Sequence, residues 1–175
     1  FQTLSANDTI RNQSPSTWLE VVQAYAFAAG YEGMIEGQML DTTLEGTQIT
    51  LKELEQMHAL KTGALFNASV YTGAIIGGGT KMQIKNLKTY AIHIGLAFQV
   101  SDDILNIEGN PALMGKATGS DAEHQKCTYP SLMGLEQSKE FANQLINSAL
   151  QALEIFDNRS DSLRAIARYI IERKN

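Results

Sequence analysis

The 175-residue sequence is poor in cysteine, in basic residues and in long apolar runs. Its single cysteine, Cys127, excludes an intramolecular disulfide and fits a reducing compartment. Lys and Arg total 14 against 19 Asp and Glu, and the net charge of -5 argues against a nucleic-acid partner. No apolar run reaches the length of a membrane span, and the first residues lack the pattern of a secretory signal. These absences predict a soluble, cytoplasmic protein with neither a nucleic-acid nor a membrane partner.

The composition that remains is that of a globular protein. Hydrophobic residues make up 43% of the chain and charged residues 19%, which supports one domain with a sizeable core. The apolar residues recur at helical spacing, and no segment alternates with a period of two for long enough to predict a strand. The pattern predicts helices over residues 15–40, 50–77 and 82–105, and further helices that begin near Pro130 and Asp161. We therefore expect an all-α helical bundle.

Two of these helices have clear N-terminal signals. Ser14 precedes Pro15, the arrangement of an N-cap residue followed by proline at the first helical position. Thr50 and Glu53 have the spacing of a capping box. By contrast, residues 109–127 are rich in glycine and lack periodicity, and a loop of this length in a compact domain is usually functional or disordered.

Two adjacent acidic residues lie in the apolar third helix. Helical spacing places Asp102, Asp103 and Asn106 on one face, which Gln99 shares. A solvated turn of helix is the simpler interpretation of an Asp-Asp pair, but apolar residues surround this pair on nearly every side. Buried carboxylates are costly unless they are paired, and Mg²⁺ commonly binds one or two carboxylates together with water and phosphate. The pair therefore predicts a polar cavity that holds Mg²⁺.

Other polar residues carry weaker signals on their own. Lys61 in the second helix is either a phosphate ligand or a surface lysine with a buried stem, and its position alone favours the surface. Gln38 and Asp41 are three residues apart near the end of the first helix, where polar residues are common. Lys116 follows a glycine in the predicted loop, but the spacing there is not that of a P-loop. The three histidines show no metal-ligand spacing.

Together these segments resemble a known family. The motifs Gly37–Asp41, Lys61–Gly63, Gly95–Leu105, Gly115-Lys116 and Lys126–Pro130 occur in the order seen in trans-isoprenyl diphosphate synthases. The bacterial members that make farnesyl diphosphate are the most similar. The resemblance covers essentially the whole chain. It implies an isoprenoid synthase fold, a homodimer, and a Mg²⁺-dependent transfer that joins an allylic diphosphate (dimethylallyl or geranyl diphosphate) to isopentenyl diphosphate.

The resemblance also implies how the charged residues act. Asp102 would bind Mg²⁺ directly, and Asp103 would support the ion through water. Lys61, Lys116 and Lys126 would hold the diphosphate group, with Lys126 the weaker candidate.

The polar uncharged residues and Asp41 have implied roles as well. Thr62 and Gln99 would present oxygen atoms to the carbocation that develops when the allylic diphosphate ionises. Gln38 and Asp41 would lie at the rim and support the residues that contact the substrate.

Two departures from the family pattern are visible. The first aspartate-rich motif of the family has no counterpart here, and the third acidic position of the second motif is Asn106. We therefore expect residues 1–175 to be the C-terminal part of a single synthase domain that lacks its N-terminal helices, and to be inactive alone. A non-catalytic partner subunit of a prenyl diphosphate synthase is the alternative. A terpene cyclase of the same fold is less favoured, because Lys61 and Lys116 match the elongating enzymes.

Overall fold

The computed structural model describes residues 13–108 and 126–173, and most of these residues are helical. The α-helices are α1 (Pro15–Ala29), α2 (Glu36–Thr43), α3 (Leu51–His58), α4 (Ala64–Ile76), α5 (Lys81–Glu108), α6 (Tyr129–Met133), α7 (Leu135–Ala152) and α8 (Asp161–Glu172). Single π-helical turns lie at Tyr31–Ile35 and Ala59–Gly63, and a 3₁₀ turn lies at Asn158–Ser160. No strand occurs in these two ranges, and the predicted all-α class is confirmed.

Both predicted helix starts are confirmed by their capping bonds. The Ser14 hydroxyl accepts the backbone N–H of Thr17 at 3.2 Å, with Pro15 at the first helical position of α1. At the start of α3, the Thr50 hydroxyl accepts the Glu53 N–H at 3.3 Å, and the Glu53 carboxylate accepts the Thr50 N–H at 2.7 Å. These bonds satisfy N–H groups that have no partner inside the helix.

The first predicted helix is interrupted, in contrast to the prediction, whereas the second is helical throughout and contains a π turn. The π turn at Tyr31–Ile35 separates α1 from α2, and Gly33 within it has the non-helical angles φ -132 and ψ -118. The π turn at Ala59–Gly63 joins α3 to α4. The second π turn adds one residue without breaking the run of helical residues, so a periodicity of 3.6 does not reveal it. The first contains a kink, because Gly30 is extended and Gly33 is non-helical. Most of the predicted loop, residues 109–125, lies outside the described residues.

Helix α5 is the centre of the bundle and packs against α4, α7 and α8. Its buried face begins with apolar residues at helical spacing: Tyr90, Ala91, Ile94, Ala97 and Val100. The same face then continues into Asp103 and Asn106, which are also buried. The core helix therefore ends in polar side chains that lie inside the protein. Across residues 13–108 and 126–173, none of the helices combines the length and the apolarity that crossing a bilayer requires.

Helix α2 approaches the second π turn closely at Gly37. A Cβ atom at this position would lie 2.1 Å from the Lys61 backbone nitrogen and 2.5 Å from its Cα. Atoms of real side chains do not approach backbone atoms so closely. The missing side chain of Gly37 therefore sets the distance between α2 and the backbone of Lys61.

We predict that Gly37→Ala lowers the free energy of unfolding by about 2–4 kcal/mol, because the added methyl group overlaps backbone atoms that cannot move aside. Gly73→Ala is the matched control, since a Cβ atom there meets nothing within 4 Å in the interior of α4. We expect the control to be neutral or more stable by up to about 1 kcal/mol. Urea denaturation measures both, and equal stabilities would contradict the prediction.

Candidate active site

A polar cavity of about 130 Å³ lies between the end of α5, the end of α2, the second π turn and the segment that precedes α6. Its walls carry positive, negative and amide side chains together, which is unusual for the interior of a bundle. The residues that line it are Asp41, Met57, His58, Lys61, Gln99, Asp102, Asp103, Asn106, Lys126, Cys127 and Thr128.

One carboxylate in this cavity binds two lysines. Asp41 Oδ2 lies 2.8 Å from Lys61 Nζ and 2.9 Å from Lys126 Nζ. Burial raises the pKa of Asp41, but the hydrogen bonds and charges of the two lysines outweigh burial and hold the pKa below its usual value. The three side chains together keep one positive charge. The trio can therefore attract an anion such as a diphosphate.

The two adjacent aspartates have different environments. Asp103 is buried, and its Oδ2 accepts the backbone N–H of Tyr129 at 3.0 Å, at the start of α6. The Asp102 side chain is 37% exposed, and its Oδ1 lies 3.4 Å from Nη2 of Arg173. Asp103 is thus held by the backbone, whereas Asp102 is the more accessible carboxylate.

Thr62 and Gln99 contact each other across the gap between the second π turn and α5. The Thr62 hydroxyl donates a hydrogen bond to Gln99 Oε1 at 3.0 Å. The neighbouring rings of Phe66 and Phe98 lie with their centroids 5.6 Å apart and provide an apolar surface on the same two helices. This region therefore offers side-chain oxygen atoms next to an apolar wall.

His58 and Tyr129 belong to the site and were not predicted from the sequence. Nδ1 of His58 lies 3.4 Å from the hydroxyl oxygen of Tyr129, and both side chains are buried. Burial, together with the positive charge of Lys61, lowers the pKa of His58 to about 4. Burial also raises the pKa of Tyr129. The available signal was that His58 stands four residues after the core residue Leu54 and three residues before Lys61, which are both helical spacings.

The structure brings most of the predicted site residues together. The predicted residues that line the cavity are Asp41, Lys61, Gln99, Asp102, Asp103 and Lys126. Thr62 donates a hydrogen bond to Gln99. Gln38 is exposed one turn before Asp41, outside the described lining of the cavity. Lys116 lies outside the described residues. Their roles in catalysis stay predictions.

The donor atoms of the cavity fit Mg²⁺. Asp102 and Asp103 supply carboxylate oxygens, and Gln99 and Asn106 supply amide oxygens near them. Mg²⁺ takes such oxygen ligands, and commonly only one or two carboxylates, with the other positions occupied by water and phosphate. Among the residues that the structure describes, no three His, Cys, Asp or Glu side chains are grouped closely enough to form a metal site by themselves.

The family model for polyprenyl synthetases matches residues 4–168. The chain belongs to the polyprenyl synthetase family. It is 42% identical over 159 residues to farnesyl diphosphate synthase of Geobacillus stearothermophilus, with 91% of this chain and 54% of the relative covered. It is 43% identical over 164 residues to chloroplastic geranylgeranyl pyrophosphate synthase of Capsicum annuum, with 93% of this chain and 44% of the relative covered. The chain spans about half the length of the curated relatives that it matches.

Solved structures support the same assignment. An FPP/GFPP synthase from Zymomonas mobilis superposes with a TM-score of 0.78 at 38% identity, covering 90% of this chain and 52% of that chain. A geranyltransferase from Helicobacter pylori, complexed with magnesium and isoprenyl diphosphate, gives 0.76 at 28% identity, covering 92% and 53%. These likenesses confirm the predicted isoprenoid synthase type of all-α fold in this member of the family.

We predict that protonation of His58 destabilises the fold as the pH falls. The pKa of His58 is about 4 in the folded protein and near 6.5 when unfolded, so the unfolded chain binds the proton more tightly. Stability due to neutral His58 is complete above pH 6.5 and is lost between pH 6.5 and 4, by about 3 kcal/mol.

Two measurements check this prediction. Urea denaturation from pH 7 to pH 4 should show the loss, and His58→Gln should show a smaller pH dependence over the same range. NMR titration of the imidazole resonances should show His58 still neutral at pH 6. Titration of His58 near pH 6.5 would mean that the side chain is solvated rather than buried.

Proposed function

We propose that this polyprenyl synthetase is a trans-prenyltransferase that condenses dimethylallyl or geranyl diphosphate with isopentenyl diphosphate and releases diphosphate. The observation that carries the proposal is that two adjacent carboxylates, Asp102 and Asp103, share one cavity with two lysines, Lys61 and Lys126. Such a cavity has groups for a divalent cation and groups for an anionic leaving group side by side. A diphosphate that departs from an allylic carbon requires both.

Ionisation of the allylic diphosphate is the difficult step. The C–O bond breaks, both bonding electrons leave with the diphosphate, and an allylic cation remains. Lys61 and Lys126 would hold the diphosphate oxygens, and Asp41 keeps the two ammonium groups in place before the substrate binds. Asp102 would hold Mg²⁺ directly and Asp103 would support it through water, and the ion supplies charge neutralisation at the leaving group. Because these groups are already ordered, little reorganisation accompanies the charge separation.

The second half of the reaction forms the new carbon–carbon bond. The alkene of isopentenyl diphosphate attacks the allylic cation, and transfer of a proton from the product cation to the released diphosphate restores a double bond. Thr62 and Gln99, which bond to each other at 3.0 Å, would present oxygen lone pairs that stabilise positive charge. The rings of Phe66 and Phe98 would line the path of the hydrocarbon tail and exclude water, which would otherwise capture the cation.

The product and the assembly state are finer parts of the proposal. We propose farnesyl diphosphate as the product, because relatives from Geobacillus stearothermophilus and Escherichia coli are farnesyl diphosphate synthases. We also propose a cytoplasmic homodimer. Exposed apolar side chains on α1, α2 and the turn between them support contact with a further protein segment, either a second copy of the chain or the rest of the synthase domain. They are Leu19, Phe27, Tyr31, Ile35 and Met39.

A non-catalytic partner subunit is the second candidate. Asn106, buried in the cavity, replaces the third acidic residue of the motif and favours this candidate. An assay with radiolabelled isopentenyl diphosphate separates the two functions, because a catalytic protein forms product alone and a partner subunit does so only with an active synthase. Product length in the same assay distinguishes farnesyl from geranylgeranyl diphosphate.

We predict that Asp102→Asn in the full-length protein lowers kcat by about 10³-fold, because a neutral amide holds Mg²⁺ poorly where charge develops. The midpoint of thermal unfolding should change little, since Asp102 is 37% exposed and its ion pair is long. Asp161→Asn is the control, because it removes the same charge from an exposed pair with Arg164 on α8. A mutant that keeps its activity would show that the reaction does not need the charge of Asp102, and one that unfolds would show that Asp102 has a structural role.

A further inference from the structure

Arg173, the residue that follows α8, contacts the more accessible aspartate of the cavity. Its Nη2 lies 3.4 Å from Asp102 Oδ1 and 3.4 Å from the carbonyl oxygen of Phe98. The guanidinium carbon stands 4.4 Å from the centroid of the Phe98 ring, and the side chain is only 11% exposed. The end of the last described helix is therefore attached to a candidate ligand of the metal ion.

This attachment is weak in its polar contacts. Both distances of 3.4 Å lie at the outer limit for a hydrogen bond, whereas Lys61 Nζ approaches Asp41 to 2.8 Å. Nε of Arg173 is buried and has no hydrogen-bond partner in the part of the chain that the structure describes. A buried donor without a partner carries a desolvation cost. Stacking on Phe98 is thus the main contribution that holds the guanidinium in place.

Space for another position of this side chain lies next to it. A cavity of about 340 Å³ is lined by Arg173 itself and by residues of α5 and α7, among them Ser101, Glu108 and Asn143. The volume exceeds that of a guanidinium group several times over. The carboxylate of Glu108 in this cavity already pairs with Lys139 at 2.8 Å, so the guanidinium would share this carboxylate with a lysine or face the solvent in the cavity. Arg173 can therefore leave Asp102 without a rearrangement of the helices.

We propose that Arg173 and a divalent cation compete for Asp102, so that Arg173 holds the carboxylate in the metal-free protein and metal binding releases it. The proposal rests on the metal-binding role of Asp102 within the proposed function. A divalent cation bound by Asp102 neutralises the charge of the carboxylate. It also repels the guanidinium group, which stands only a few ångströms from the ion. Arg173 binds Asp102 less strongly than the cation does, because its contacts are long and its Nε is unsatisfied within the described residues. Arg173 is therefore the partner that leaves. Arg173 thereby lowers metal affinity and links the end of α8 to occupancy of the site.

Binding of Mn²⁺ alone to the full-length protein, followed by the EPR signal of free Mn²⁺, tests the competition. Arg173→Met should bind Mn²⁺ about fivefold more tightly, the size expected for loss of a competing, partly exposed ion pair. Arg173→Lys should fall between it and the wild type, since lysine keeps the charge but loses the planar stacking group. Arg168→Met removes the same charge from an exposed position on α8 and should change the affinity less than twofold.

Equal or weaker Mn²⁺ binding by Arg173→Met would overturn the proposal, because Arg173 would then be neutral or would orient Asp102 for the metal. The proposal would be overturned as well if none of the proteins, the wild type included, bound Mn²⁺. If Arg173→Met does not fold, the comparison of Arg173→Lys with the wild type decides the direction of the effect.

A second measurement observes Arg173 directly in the wild-type protein. In protein labelled with ¹⁵N-arginine, the Nε–H signal of Arg173, assigned by its loss in Arg173→Lys, should exchange faster with water when Mg²⁺ saturates the site. An unchanged signal would mean that Arg173 and Mg²⁺ share Asp102 through its two oxygens, and would overturn the proposal. Neither experiment uses a prenyl substrate. A protein that shows the competition but transfers no prenyl group would disprove the proposed function alone.

Discussion

The burial of polar side chains, one of them a carboxylate, at one end of the central helix is the constraint on which the site depends. Helix α5 buries one continuous face, and the last two turns of that face contain Asp103 and Asn106 instead of apolar residues. Because a buried carboxylate without partners is strongly destabilising, the surrounding elements must supply donors or cations. The backbone N–H of Tyr129 supplies one of them, which ties the start of α6 to the end of α5. The polar cavity is therefore a consequence of how the core is built.

The positive side of the cavity depends on a backbone contact instead. Gly37 lets α2 approach the backbone of Lys61, and Asp41, one helical turn later, then reaches the ammonium groups of Lys61 and Lys126. A lysine side chain is long and loses considerable entropy when it is held in one position. Here that entropy is lost during folding, before any anion binds. This arrangement is the physical basis of preorganisation for a diphosphate group.

Local patterns in the sequence predicted the helices, the caps at Ser14 and Thr50, and the shared face of Gln99 and Asp102, because these features depend on residues three or four positions apart. The second π turn was missed because one inserted residue rotates everything after it by about 100° while the segment stays helical. The kink at Gly30 and Gly33 was missed because the apolar spacing on either side of it is helical. The contacts between distant residues were not predictable in the same way. Asp41 and Lys126 are 85 residues apart and Asp102 and Arg173 are 71 apart, and only the packing of the bundle brings them together.

The two halves of the cavity differ in how firmly their charges are held, and this difference has a consequence for binding. Lys61 and Lys126 lie within 2.9 Å of the same carboxylate oxygen, so their positions are well defined before a ligand arrives. The Asp102 side chain is 37% exposed and its contact with Arg173 is 3.4 Å long, so this contact opposes its movement only weakly. Mg²⁺ demands near-ideal octahedral geometry and keeps several water ligands. A carboxylate that can adjust its position suits such an ion better than one fixed by short bonds. The lysines, which act as point charges toward phosphate oxygens, place a weaker demand on angle and can be held rigidly.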